Sequence, residues 1–417
     1  MSSKLSAAWW VPTLYFAEGI PYFIVNVISV TMFKRLGMPN GDLALYTSLL
    51  YLPWVIKPLW SPFVDVIRTK RWWILLTQAL CTAGFAALAL SVSPGAFGVS
   101  LVLFYLIAFA SATHDVAADG FYMLALDGTR QAAFVGIRST FYRIASVFGQ
   151  GVIVVLAGLI EERSGSIPRA WRLTLLASAG LFALLTLWHW RFLPKAEADG
   201  AAQSRSARDC FRGFAQAWES FFRKPGAGAA IAFMLLYRLP EALSVKMLTP
   251  FLLDPQAAGG LGLSTAQSGL VYGTVGVIAL TAGGILGGLY AARKGLRRSM
   301  WPMSAALALP CAVYLLLALL QPSALWGIYL CVALDQFGYG FGFTAYMLYM
   351  MQFSEGPFKT SHYAICTAFM ALSMMIPGLF AGWMQEALGY VGFFIAVMIC
   401  CSATVFVTFS ARRRCSS

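Results

Sequence analysis

The stretch ATHDVAADGFYM, residues 112–123, places three ionisable side chains, His114, Asp115 and Asp119, just after the apolar run LVLFYLIA. Asp115, Asp119 and Tyr122 recur at i, i+4 and i+7, one face of a helix, with His114 turned about 100° away. Carboxyls on one helix face in a non-polar interior can load and release a proton when a cation stands close enough to tune them. Two cations are candidates: Lys57 in YLPWVIKPLWSPFVD and Arg143 in GIRSTFYRIASVFGQG. An arginine that keeps its proton needs a carboxylate or an anionic solute beside it. Asp115 or Asp119 is therefore expected within reach of Lys57 or Arg143, while Arg138 falls elsewhere on its helix. A third acid, Glu18, heads a stripe with Tyr22, Asn26 and Ser29 at i, i+4, i+8 and i+11, and Pro21 should loosen the backbone there. These spacings permit proton coupling, with Asp119 the first candidate carrier and Glu18 the second.

The second half of the chain holds a smaller set. YRLPEALSVKM puts Arg238 and Glu241 at i, i+3, where they can pair with each other. DQFGYGFGFTAYMLY sets Asp335 and Tyr339 among glycines and aromatics, a pattern for close helix packing or for a surface on which sugar rings stack. Solute contacts are expected from Tyr22, Asn26, Lys57, His114, Tyr122, Arg143, Arg238, Glu241, Asp335 and Tyr339. His114, Asp115 and Asp119 have no second ligand cluster beside them, so neither a metal nor any other cofactor is expected.

The elements that must position these residues are membrane helices. The chain has 417 residues, 59% of them hydrophobic and 11% charged, whereas soluble domains carry about 25% charged residues. Apolar runs of about 20 residues predict an all-α membrane protein of twelve spans: 8–32, 43–65, 72–92, 97–124, 132–160, 171–193, 227–252, 264–291, 299–320, 324–351, 360–386 and 390–411. The longest polar stretch divides the chain into a six-helix half, 1–193, a cytoplasmic linker, 194–226, and a second six-helix half, 227–417. The N-terminal run has no small-residue cleavage site and reads as the first span, not a leader.

The net charge of +13 does not indicate a nucleic-acid partner, because Lys and Arg fall in short clusters between apolar runs. Twenty of the thirty lie in segments on one side of the expected spans and five on the other. That asymmetry predicts both termini in the cytoplasm. The eight cysteines show neither zinc nor disulfide spacing and read as packing residues.

The halves resemble each other. LGMPNGDLALYTSLL after the first span parallels LGLSTAQSGLVYGTV after the seventh, and IRSTFYRI parallels ICTAFMAL. Each half has a basic loop after its second span, SPFVDVIRTKR and GGLYAARKGLRR. Paired six-helix halves are the organisation of major facilitator transporters. The first loop resembles that superfamily's short gating motif, with Asp65 as its acid, Lys70 and Arg71 as its bases, and Ser61 where a glycine is usual.

FAEGIPY, IKPLWSPFVD, KRWWILLTQ, IAFASATHDVAADGFYM, FYRIASVFGQG, YRLPEALSVKMLTPFL and IPGLFAGWMQEALGY together resemble the AmpG-like muropeptide permeases, in the same order along nearly the whole chain. These permeases belong to the major facilitator group that includes acetyl-coenzyme A transporters. The resemblance implies import of anhydro-muropeptides with protons, by alternating access, across a bacterial inner membrane. Matching positions are Lys57, Asp65, Asp115, Asp119, Arg143 and Arg238. The sequence departs from the family at His114, commonly glutamine; at Tyr122, commonly lysine; at Glu18, commonly small; and at Arg138, which has no charged counterpart.

The expected protein is therefore a monomeric secondary transporter whose partners are a small solute, protons and the lipid bilayer. Other solutes fit the same layout: a siderophore, an acyl-coenzyme A or a nucleotide-like anion. An intramembrane transferase using His114 and Asp115 is a further alternative, although the chain has no nucleotide-binding loop or nucleophile elbow. An enzyme is not the expected class.

Overall fold

The computed structural model describes residues 2–93, 95–195 and 207–413, and these contain helices and no strand. Residues 196–206 of the expected linker lie outside the described residues, as does the side chain of Asp65. The helices follow the expected spans closely: α1, Ala7–Arg35; α2, in two pieces, Asn40–Leu49 and Leu52–Val66; α3, Lys70–Ser91; α4, Phe97–Ala125. Then come α5, Gly128–Val147 continuing through Phe148–Val152 into Ile153–Ser164; and α6, Ile167–Phe192. After the linker helix Ala207–Phe222 come α7, in two pieces, Ala227–Leu236 and Leu239–Leu253; α8, Thr265–Lys294; α9, Leu296–Leu320; and α10, Leu325–Phe353. The last element, Lys359–Arg412, is two arms, α11 and α12, folded at Gly389, whose φ of 68° and ψ of 174° are not helical.

Nine of these helices are long and apolar enough to cross a membrane, counted among the described residues and with Lys359–Arg412 taken as one. Large apolar side chains cover the outside. Leu90, Trp326 and Phe406 are each 73% exposed, an arrangement suited to lipid and unfavourable in water.

Local chemistry explains the breaks. Pro53 removes a backbone donor just past the Leu50–Tyr51 interruption of α2, and Pro240 opens the second piece of α7. Downstream of Pro21, the amide of Ser29 reaches back five residues to the carbonyl of Ile24, a π turn. α5 makes the same turn from Ile153 to Phe148. Gly37 and Gly262 occupy equivalent places in the paired stretches LGMPNG and LGLSTA, and both are left-handed, with φ of 91° and 66°. The internal repeat thus extends to backbone conformation.

The chain forms two compact units. The first is Met1–Gly37 with Ile56–Phe214; the second is Met38–Val55 with Ala215–Ser417. The first is filled by Trp10, Leu14, Phe121 and their neighbours. In the second, the first piece of α2 packs on α11. Asn40 Nδ2 donates to Gln385 Oε1 at 2.7 Å and Tyr390 Oη to Asp254 Oδ2 at 2.6 Å, while the Gly41 amide donates to Glu386 Oε1 at 2.7 Å. Helices α8, α9 and α10 approach through glycine. A Cβ on Gly338 would strike the Ala306 carbonyl of α9, and one on Gly340 the Leu280 carbonyl of α8. The glycines of α10 are therefore packing residues, as small-residue membrane interfaces require.

Candidate functional site

In the first unit, α4 presents its two acids to different neighbours. Lys57 from the second piece of α2 pairs with Asp115 Oδ2. One turn along, Arg138 Nη2 lies 2.7 Å from Asp119 Oδ1, and the Tyr15 hydroxyl of α1 donates to the same oxygen at 3.1 Å. The guanidinium also sits 4.4 Å from the Tyr15 ring centre and 5.6 Å from that of Tyr122. Arg138 is thus the arginine that the acids use, and the sequence had placed it off this face. Arg143, five residues on, is partly buried and pairs with no carboxylate among the described residues.

Glu18 is buried, and its Oε2 has no hydrogen-bond partner. Its charged neighbours include Asp119, Asp115 and Arg138, and it forms no ion pair among the described residues. The cluster therefore holds three acids and two paired cations.

The other residues of the N-terminal set are placed as follows. His114 is 2% exposed and faces away from Asp115 into a chain of polar groups linking four helices. Its Nε2 lies 2.9 Å from Gln78 Nε2; Gln78 Oε1 lies 3.0 Å from His189 Nδ1; His189 Nε2 lies 3.0 Å from Thr13 Oγ1. Tyr122 donates its hydroxyl to the Gln131 carbonyl at 2.5 Å. Asn26 donates to the Tyr22 carbonyl at 3.0 Å, and its own side-chain oxygen has no partner. In the first turn of α3, Arg71 donates to the carbonyls of Trp190 (2.7 Å) and Leu193 (3.1 Å) at the end of α6. Lys70 packs its stem over Gly120.

In the second unit, Arg238 stands at the interruption of α7. Its Nε donates to Glu241 Oε2 at 3.1 Å, its Nη2 donates to the Tyr339 hydroxyl at 2.8 Å, and the plane lies 4.7 Å from the Phe343 ring centre. Both members of the pair are 5% exposed. Asp335 accepts from the Tyr314 hydroxyl at 2.7 Å and from Gln336 at 3.0 Å. Lys246 of the same unit was absent from the expected set; its lysine-in-a-span signal was visible but had no acid to match.

A family model of the Major Facilitator Superfamily matches residues 13–356. The Escherichia coli K12 anhydromuropeptide permease is 26% identical over 391 residues, 92% of this chain and 75% of the relative. The putative transporter AmpG 4 of Rickettsia conorii is 22% identical over 406 residues, 94% of this chain and 92% of the relative. Among solved structures, the D-xylose-proton symporter aligns with a TM-score of 0.71 at 10% identity, covering 98% of this chain and 96% of that one. The nucleoside transporter NupG aligns with a TM-score of 0.67 at 16% identity over the whole of both chains. These relatives and structures are transporters, not enzymes, and the relatives agree with the resemblance read from the sequence.

Proposed function

The chain belongs to the Major Facilitator Superfamily, and from that premise we propose that it imports a cell-wall-derived sugar or muropeptide by proton symport with alternating access, across a bacterial inner membrane with both termini cytoplasmic. The chain itself is a multi-pass membrane transporter. The solute assignment is supported by the muropeptide permeases among its relatives.

The observation that carries the coupling is the uneven charge set of the first unit. Asp115 and Asp119 each pair with a cation, whereas Glu18 is buried with no ion pair among the described residues and an Oε2 without a hydrogen-bond partner. A carboxylate ionised in a low-dielectric interior without a cation is costly, and a proton removes that cost. Glu18 is therefore the transported-proton carrier in this reading. Asp119, first by spacing alone, is the fixed anion that positions Arg138. Arg143 and the unpartnered oxygen of Asn26 remain for solute contacts, with Tyr22 four residues before Asn26. His114 and Tyr122 hold the helices together, and Arg71 anchors the start of α3, next to Lys70. One copy of the chain contains the whole set, so a monomer suffices.

The test is uptake of labelled N-acetylglucosaminyl-anhydro-N-acetylmuramyl peptide into sealed vesicles under an imposed pH gradient. Accumulation that collapses with a protonophore supports the reading. Equal uptake with and without the gradient overturns the symport, and chemical alteration of the solute would favour an enzyme.

A further inference from the structure

We propose that Lys246, with the hydroxyls of Thr47 and Ser48, forms a binding site for a carboxylate on the transported solute. The inference rests on the importer reading above and adds a recognition site within the second unit.

Lys246 lies on the second piece of α7 and is 7% exposed. Its Nζ is 3.2 Å from Thr47 Oγ1 and 5.6 Å from the centre of the Tyr51 ring. Thr47 gives its own hydroxyl proton to the Leu43 carbonyl at 2.6 Å, so its oxygen accepts from the lysine. That contact uses one ammonium proton of three. Among the described residues no carboxylate pairs with Nζ, whereas Lys57, Arg138 and Arg238 each hold one. The neighbouring Ser48 is fully buried, and its Oγ has no partner.

Ser48 and Lys246 border one glycine. A Cβ on Gly378 of α11 would run into Ser48 Oγ and come within 3.1 Å of Lys246 Cε. The side chains that carry two unspent ammonium donors and one unspent hydroxyl donor thus pack against one stretch of backbone with no side chain. A group that only accepts, with two oxygens, matches that donor set, and an ionised carboxylate is such a group. A buried ammonium is stable when an anion compensates it. In this site the solute supplies that anion. A neutral sugar would leave the lysine uncompensated, so the site selects carboxylate-bearing solutes over their neutral analogues.

The test compares N-acetylglucosaminyl-anhydro-N-acetylmuramic acid with its methyl ester, titrated into the purified full-length protein. The unmodified protein should bind the acid about tenfold or more tightly than the ester. In Lys246→Met both should bind at the level of the ester, and Lys246→Arg should keep part of the preference. Equal binding of acid and ester by the unmodified protein overturns the site. So does a preference that survives in Lys246→Met, which would place carboxylate recognition at Arg143. If neither compound binds the unmodified protein, the cell-wall solute reading fails, and sodium D-lactate against sodium chloride at equal ionic strength decides the site. A lactate-dependent rise in Tm that is lost in Lys246→Met supports it; the same response in both proteins overturns it. Should Lys246→Met not fold, Ser48→Ala is read in the same way: a weakened acid preference supports the site and an unchanged one overturns it.

Discussion

Arg138 Nη2 stands 2.7 Å from Asp119 Oδ1, and the oxygen it holds is the one that also accepts the Tyr15 hydroxyl. Asp119 is thus fixed from two helices at once. The pair is about one-third exposed on each side, 33% and 38%, so its worth should fall well below that of a dry pair. A double-mutant cycle of Arg138→Gln and Asp119→Asn should give a coupling of about 1 kcal/mol in thermal stability. Strictly additive melting shifts would mean that the pair holds nothing.

Lys57 and Asp115 are less exposed, at 21% and 23%, and Glu18 is a second acid in the same neighbourhood. Removing the lysine leaves two neighbouring acids without their cation. Lys57→Ala should therefore destabilise the protein by about 2–4 kcal/mol, and Lys57→Ala with Asp115→Asn should recover most of that loss. Melting curves of the solubilised single and double variants decide it. A single variant as stable as the parent would remove the pair from the structural account.

The helices and the Lys57 pairing were legible because each follows from one-dimensional rules. A run of about 20 apolar residues has few other uses, and a lysine well inside a span needs an acid on a neighbouring helix. The choice between Arg138 and Arg143 was not legible. Both sit on one helix, and which of them meets α4 depends on the rotation of α5, which the close approach of α1 sets. There a Cβ on Gly19 would come within 2.7 Å of Ala145, and one on Gly149 within 2.6 Å of Phe23. Wheel reasoning gave the spacing of the α4 stripe but not which neighbour each acid meets. Lys246 was missed for a related reason, since the lack of a counter-ion is a property of three-dimensional neighbours, and Thr47 and Ser48 are some 200 positions away in the chain.

Glycine packing in the second unit gives a sharp contrast within one helix. A Cβ on Gly283 would collide with the Phe337 carbonyl, backbone that cannot swing aside, whereas Gly288 has nothing within 4 Å. Gly283→Ala should cost about 1–3 kcal/mol or more through forced separation of α8 and α10. Gly288→Ala should be neutral or stabilise by about 0.5–1 kcal/mol, because alanine loses less backbone freedom. Thermal melts of the two variants side by side check this, and equal effects would refute the close approach.

Glu18 provides the pH test. If the proton that enters with the solute binds Glu18, protonation favours solute binding, so affinity should be higher at pH 6 than at pH 8. Linkage requires the solute to favour protonation by the same factor, with an expected coupling of about 1–3 kcal/mol. Glu18→Gln mimics the protonated carboxyl and cannot release it. Its affinity should then match the low-pH value of the parent at both pH values, and pH-driven accumulation should be lost while solute exchange across the membrane continues. Asp119→Asn should behave differently, because the residue holds Arg138: it should weaken transport at every pH and leave the pH dependence of binding in place. Binding measured at both pH values in the parent and the two variants separates the roles. A pH dependence that persists in Glu18→Gln but vanishes in Asp119→Asn would move the carrier to Asp119.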